Sequence, residues 1–374
     1  MRGGRLKHGA AWPRLLLAGF LAAVLAACGD GGKDTPPASA TGASTAPSPA
    51  PAADGAGTSS APTVARADAT GFPLTLTTAL GDAVIPAPPR RVITLGLGAD
   101  DLALALGVAP VGVGRADWGG DADGYWPWVR QALERQGKPL PETIRMYPEL
   151  DVERIIALQP DLVLAPFSGM SAQAFRQLSA FVPVVGYPDA PYLTPVPTQV
   201  DLSAAALGKT AKAEAVKQGI HDALAQAAKK WPMLQGKSFA YVRADLGSGN
   251  FAAYVPGDPR VDTLSAMGLT LAPAVRDLRA SGGHFAHYLG FEHADRLADV
   301  DVLVSWFYNA QERDKVAAVP LFASIPAVRR GAYVALDDPG LVMASSSGAP
   351  LAIAWMLDRL GPQLAQAAER ASSP

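Results

Sequence analysis

The side chains of this 374-residue chain that could do chemistry stand just behind short apolar runs. Arg115 and Trp118 follow the run ending at Gly114, with Tyr125 and Trp126 close behind. Phe167-Ser168-Gly169-Met170 follow a second run, Arg243 closes a third, and Trp306-Phe307-Tyr308 close a fourth. A guanidinium pairs with ligand oxygens, and aromatic faces stack on flat groups, so these residue types describe a binding surface. Arg115 and Arg243 carry the stronger expectation, because an arginine at a strand's carboxyl end is awkward to bury without a partner. Each ring taken singly is as readily a packing residue, since rings also fill cores.

Catalytic signatures are missing. Gly96-Leu97-Gly98-Ala99-Asp100-Asp101 follows a strand and opens a helix, as a dinucleotide loop would, yet Asp101 stands at the third glycine position, where its charge would face pyrophosphate. Gly112-Val113-Gly114-Arg115-Ala116-Asp117 departs in the same way, and there is no nucleophile elbow, no phosphate-binding lysine loop and no HExxH. Ser345-Ser346-Ser347-Gly348 is expected to cap the last helix instead. A metal site needs His and carboxylate ligands converging on one point. His284 and His287, three apart and near His293, could hold zinc or an axial haem position, whereas His221 falls on the exposed face of a helix.

Composition is that of a globular protein, 49% hydrophobic and 18% charged, with length for two domains. The amino terminus differs. Arg2, Arg5, Lys7 and Arg14 make a basic region, Leu15 to Val24 is an apolar run too short to span a bilayer comfortably, and Leu25-Ala26-Ala27-Cys28 closes it. This resembles a bacterial lipoprotein signal over 1–27, cleaved so that Cys28 carries lipid. Cys28 is the only cysteine, which excludes an intramolecular disulfide and a thiolate metal cluster. Without the leader, 28 basic residues face 34 acidic ones, a charge of −6 that argues against nucleic acid as a partner. Residues 28–70, rich in Ala, Pro, Ser, Thr and Gly, cannot bury enough apolar surface to offset their ordering entropy and are expected to be a flexible tether.

The elements that must position the candidate residues fall into two similar halves. Between them, Lys209 to Trp231 places Val216, Ile220, Ala223, Leu224, Ala227 and Trp231 at spacings of three and four, which predicts one amphipathic helix ended by Pro232. Before it, β-branched runs such as Arg91–Leu95 and Asp161–Ala165 alternate with helical segments; after it, Ser238–Val242 and Asp301–Trp306 do the same. Strands alternating with helices predict parallel sheets. The reading is α/β: a lobe over 71–207, an interlobe helix over 208–231, a lobe over 232–374, and a ligand cleft between two Rossmann-like lobes. A last helix is expected from Ala349 to Leu360, stopped by Gly361-Pro362.

Ordered segments then carry a resemblance. Arg90-Arg91-Val92-Ile93, Ala105 through Val113, Glu149 through Ile155 leading into Leu158-Gln159-Pro160-Asp161-Leu162-Val163-Leu164, Ala206-Leu207-Gly208-Lys209, Glu292 through Leu303, and Phe322 through Val328 are similar to the iron-siderophore substrate-binding proteins of ABC importers. The resemblance covers about residues 72 to 362. It implies two α/β lobes that move little, no enzymatic activity and no cofactor, with a ferric siderophore as ligand. Implied partners are an ABC permease with its ATPase, and implied is a monomer lipid-anchored through Cys28 outside the cytoplasm, in the periplasm or on the cell membrane's outer face. Glu149 and Glu292 match the family's two permease-docking glutamates, with Leu150 in place of the proline usual after the first. Arg115, Trp118, Tyr125, Trp126, Ser168, Arg243, Trp306 and Tyr308 are the ligand-binding candidates, and no residue is assigned to direct metal binding. Haem, cobalamin or a metal ion on the same fold is the alternative cargo.

Overall fold

The computed structural model describes residues 71–280 and 285–372; the expected leader, Cys28, the tether and His284 lie outside the described residues. The first lobe opens with a hairpin, β1 (Leu74–Thr78) and β2 (Gly81–Ile85), whose alternation buries Leu76, Ala83 and Ile85 and turns Thr75 and Val84 outward. Five parallel strands follow: β3 (Val92–Thr94), β4 (Gly112–Gly114), β5 (Glu142–Ile144), β6 (Leu162–Leu164) and β7 (Val184–Val185), in the order β5-β4-β3-β6-β7. Helices cover both faces of such a sheet, which is why Val92-Ile93 and Leu162-Val163-Leu164 are continuous apolar runs rather than alternating ones. The interlobe helix runs from Thr210 to Lys230 and, at 1.5 Å per residue, spans roughly 32 Å.

The second sheet is mixed, where a parallel one was expected. Its strands are β8 (Ser238–Asp245), β9 (Asn250–Tyr254), β10 (Thr270–Leu271), β11 (Ala286–Gly290), β12 (Val302–Trp306) and β13 (Tyr333–Leu336); the order is β11-β9-β8-β12-β13, with β10 also on β8. Strands β9 and β11 are antiparallel to their neighbours. The cause is a tight turn after β8: Asp245 accepts from the Gly247 N–H and the Ser248 hydroxyl, and Gly249 adopts a φ of +68°. A short turn can join only antiparallel strands.

The C-terminal helix runs from Pro350 to Ala371, past the expected stop at Gly361-Pro362. Proline removes one hydrogen-bond donor, but Leu364, Ala365, Ala367 and Ala368 beyond it are buried, and that burial outweighs the loss. Gly361 serves close approach: a Cβ there would lie 2.0 Å from Cη2 of Trp231, at the end of the interlobe helix. The serine cap is also corrected. Ser345, Ser346 and Ser347 belong to the preceding helix, Pro339–Ser347, and the C-terminal helix is capped by Asp101 of the first lobe, whose carboxyl oxygens accept from the Leu351 and Ala352 N–H groups at 3.0 and 2.8 Å.

This helix packs on the first-lobe helices Ala99–Ala105 and Pro127–Arg135 as well as on β12 and β13. One hydrophobic cluster accordingly contains Leu104, Trp128 and Leu133 of the first lobe, Leu224 of the interlobe helix, and Tyr241, Phe307, Ile353 and Met356 of the second. The lobes share a core. Among the described residues no helix is long and apolar enough to cross a membrane.

Candidate functional site

The carboxyl ends of the central strands of both sheets face one another across a cleft of about 700 Å³. From the first lobe come Arg115 and Trp118 after β4, Trp126, Phe167 after β6, Tyr147 and Tyr192. From the second come Arg243 on β8, Tyr254 on β9, Tyr288 on β11, Trp306 and Tyr308 at the end of β12, and Asp258 and Arg260 at the start of the helix Pro259–Ala266.

Three rings from the two lobes meet in one cluster. Trp118 lies 5.9 Å from Trp306 and 5.6 Å from Tyr308 between centroids, and the latter two stand edge to face at 5.4 Å. The Arg243 guanidinium sits 5.0 Å from the Trp306 centroid and 4.8 Å from that of Tyr308. It stands 3.4 Å from both Glu312 and Asp245, and Glu312 also accepts from the Tyr308 N–H at 2.6 Å, tying cation and ring to one carboxylate. Burial works to raise Asp245, but the hydrogen bonds from Ser248 and Gly247 and the charge of Arg243 hold it below the ordinary carboxylate value.

Arg260 forms the second cationic point. Its Nη1 lies 2.7 Å from Oδ2 of Asp258 and its guanidinium 4.1 Å from the Tyr254 centroid. Burial pushes the Asp258 carboxyl up, while Arg260, in spite of its own burial, is held above its usual value by the charge of Asp258. The Nε atoms of Arg243 and Arg260 are buried with no hydrogen-bond partner among the described residues. Trp306 Nε1 donates to the Tyr254 hydroxyl at 2.9 Å, joining the two arginine clusters. Across the cleft Arg115 pairs with Asp117 at 2.9 Å and donates to the Asp123 carbonyl at 3.0 Å. It lies flat against Gly124, where a Cβ would stand 2.6 Å from its Cγ.

Of the eight ligand-binding candidates, Arg115, Trp118, Trp126, Arg243, Trp306 and Tyr308 line this cleft, and Tyr125 and Ser168 do not. Tyr125 is buried in the first lobe, its hydroxyl donating to the Pro141 carbonyl at 2.6 Å and its ring beneath Arg130. Ser168 is buried and closes the turn after β6 by donating to the Ala165 carbonyl at 2.9 Å; it borders a smaller cavity of about 330 Å³. In both, the hydroxyl is spent on the lobe's own backbone. Arg260, Asp258 and Tyr254 also line the cleft, and the strand-end pattern did not single them out. Asp258-Pro259-Arg260 holds the signal for the first two: a cation in the first turn of a helix opposes the helix dipole and calls for a reason.

Glu149 is exposed in the loop before the helix Val152–Ala157, on the rim of the smaller cavity. Glu292 is exposed in the first turn of the 3-10 helix Phe291–Leu297, 3.8 Å from His293. His287 Nδ1 meets the Arg279 carbonyl at 2.7 Å, and His221 meets Asp222 at 3.3 Å. Among the described residues no histidine lines the cleft and no group of three or more His, Cys, Asp or Glu could hold a metal ion.

A family model described as "Periplasmic binding protein" matches residues 92–339. No curated protein matches the sequence significantly. Among solved structures, Streptococcus pneumoniae TIGR4 PiaA in complex with ferrichrome is 25% identical with a TM-score of 0.72, the match covering 79% of this chain and 99% of that one. A periplasmic solute binding protein from Mycobacterium smegmatis is 30% identical with a TM-score of 0.66, covering 79% and 98%. Staphylococcus aureus SirA complexed with staphyloferrin B, at 20% identity and a TM-score of 0.61 over 78% and 98%, shares the fold.

Proposed function

The chain belongs to the periplasmic binding protein family, and from that premise we propose that it is the substrate-binding component of an ABC importer, capturing a ferric siderophore in the interlobe cleft. The observation that carries this reading is the Trp118, Trp306 and Tyr308 cluster bridging the lobes, with Arg115, Arg243 and Arg260 around it. The rings offer faces to the flat arms of a chelate, and the guanidinium groups offer donors to its oxygens. The similarity in fold to proteins solved with ferrichrome and staphyloferrin B supports the same reading. The iron chelate is cargo. The chain itself catalyses nothing and needs no cofactor, and its partners are the permease and the ATPase that drives it.

Glu149 and Glu292, both exposed, would present carboxylates to basic groups of the permease. Lipid on Cys28 and the tether over 28–70 would keep a monomeric body at the outer side of a membrane, with the folded lobes over 71–207 and 232–374 joined by 208–231. Trp118, Trp126 and Trp306 line the cleft, so intrinsic tryptophan fluorescence reports on its occupancy. Titration with ferric hydroxamates, ferric catecholates, haem, cobalamin and Zn²⁺ is expected to give saturable quenching with a ferric chelate. Quenching by Zn²⁺ alone, or by haem or cobalamin in preference, overturns the proposal in favour of that cargo.

A further inference from the structure

The cleft's cations are already matched by carboxylates of the chain itself. Arg115 has Asp117 at 2.9 Å, Arg260 has Asp258 at 2.7 Å, and Arg243 has Glu312 and Asp245 at 3.4 Å each. Among the described residues, three guanidinium groups at the cleft therefore face four carboxylates, and no lysine lines it. Most of these carboxylates are fixed by backbone bonds. Asp258 accepts from the Arg260 N–H, Glu312 from the Tyr308 N–H, and Asp245 from the Gly247 N–H, so none of the three can swing aside to release its arginine. Asp117 alone is held only by its arginine and is exposed.

A ligand brings its own charge to this balance. Three hydroxamates, each carrying one negative charge, neutralise ferric iron, whereas three catecholates at two charges each leave a complex of net charge −3. A trianion taken out of water needs surplus cations to offset its desolvation, and among the described residues this cleft has none to spare. A neutral chelate needs only donors for its oxygens and apolar faces for its arms, which the paired arginines and the Trp118, Trp306 and Tyr308 rings supply. We propose that the cleft selects a neutral ferric trihydroxamate over a trianionic ferric tricatecholate. The inference rests on the ferric-siderophore reading above and narrows it to one chelate class.

The test titrates the full chain with ferrioxamine E, which is neutral, and with ferric enterobactin, which is trianionic, following tryptophan fluorescence. Ferrioxamine E is expected to bind roughly tenfold or more tightly than ferric enterobactin at 0.15 M salt. Its affinity should change less than about twofold between low and high salt, because a neutral ligand has no net charge to screen. The variant Asp117→Asn, at the exposed edge of the cleft, should tighten the trianion by roughly threefold more than it changes the neutral complex, as expected for removing one screened repulsion at about 8 Å. Tighter binding of ferric enterobactin by the native chain, or an Asp117→Asn variant that changes both affinities by the same factor or neither, overturns the inference while the siderophore reading stands. If neither chelate binds and haem, cobalamin or Zn²⁺ does, the siderophore reading falls and takes this one with it.

Discussion

Replacing Asp101 by Asn removes a titrating group from the contact that ties the first lobe to the C-terminal helix. The Asp101 carboxyl is fully buried and accepts from two N–H groups of that helix, Leu351 and Ala352. Burial pushes it up to about 8; the two backbone hydrogen bonds pull the other way, and the charge of Asp100 adds to the rise. In the unfolded chain the value is near 3.9. Between these values the folded protein holds a proton that the unfolded chain has released, so stability falls as pH rises. The contribution is full below the unfolded value and is lost by the time the pH passes the folded one. At 1.36 kcal/mol per unit, moving from pH 5.5 to pH 7.5 should cost the native protein about 2.5 kcal/mol from this group alone.

Asp101→Asn does not titrate, and its amide offers one acceptor to two donors, so at pH 5.5, where the native carboxyl is protonated, it should be about 1–2 kcal/mol less stable than the native protein. The native-minus-variant difference in unfolding free energy, measured in urea at the two pH values, should therefore fall by about 2.5 kcal/mol on going up and change sign. Asp100, which burial pushes up to about 6, is present in both proteins and cancels to first order. A difference that stays flat, or widens with rising pH, would mean that the carboxyl is ionised against the helix terminus, and the burial argument would fail.

Arg243→Ala removes the cation held over Trp306 and Tyr308 and should weaken chelate binding by about 1.4–2.8 kcal/mol, roughly ten- to a hundredfold; an unchanged titration would take Arg243 out of the site. Charge reversal at Glu149 and Glu292 together should abolish uptake in cells and leave chelate affinity in solution as it was, and loss of that affinity would contradict a docking role. Gly361→Ala puts a Cβ into the Trp231 ring and should cost about 1–3 kcal/mol, lowering the melting temperature by a few degrees. An unaltered melting curve would show that the two helices can part there without penalty.

Period and punctuation made much of this architecture legible. The 3.6-residue spacing from Val216 to Trp231 and the Pro232 stop located the interlobe helix to within a residue at each end. The β-branched runs around Val92, Leu162 and Val302 located central strands, because a strand buried on both faces leaves no room for polar alternation. Local rules failed where a distant partner decides. Nothing near Pro362 says that the helix continues, since the reason lies in Trp231 against Gly361 and in the shared core. Nothing near Leu351 says that its cap is an aspartate 250 positions earlier. Placing arginines and rings at strand ends picked out Arg115, Trp118, Arg243, Trp306 and Tyr308 as residues of the cleft wall, because topology sends those ends to the cleft. Ser168 and Tyr125 lie off the cleft wall, since a strand-end position does not say whether a hydroxyl faces the cleft or its own backbone.

Two helices join the lobes where one was expected, and this bears on how the cleft can work. A single rod would let the lobes twist about it. Here the C-terminal helix is held by Asp101 at its first turn, abuts the end of the interlobe helix through Gly361 at its middle, and packs on both lobes. Parting the lobes would expose the apolar faces of Trp128, Leu133, Ile353 and Met356, all nearly inaccessible to solvent, at about 25 cal/mol per Å². Wide opening is thus far costlier than rotating exposed rings such as Tyr308 and Tyr288 at the cleft mouth. Recognition must then be achieved by side chains within a frame whose width is set before the ligand arrives. A frame of that kind discriminates by charge and fit, which makes the pairing of every cleft arginine with its own carboxylate a statement about cargo.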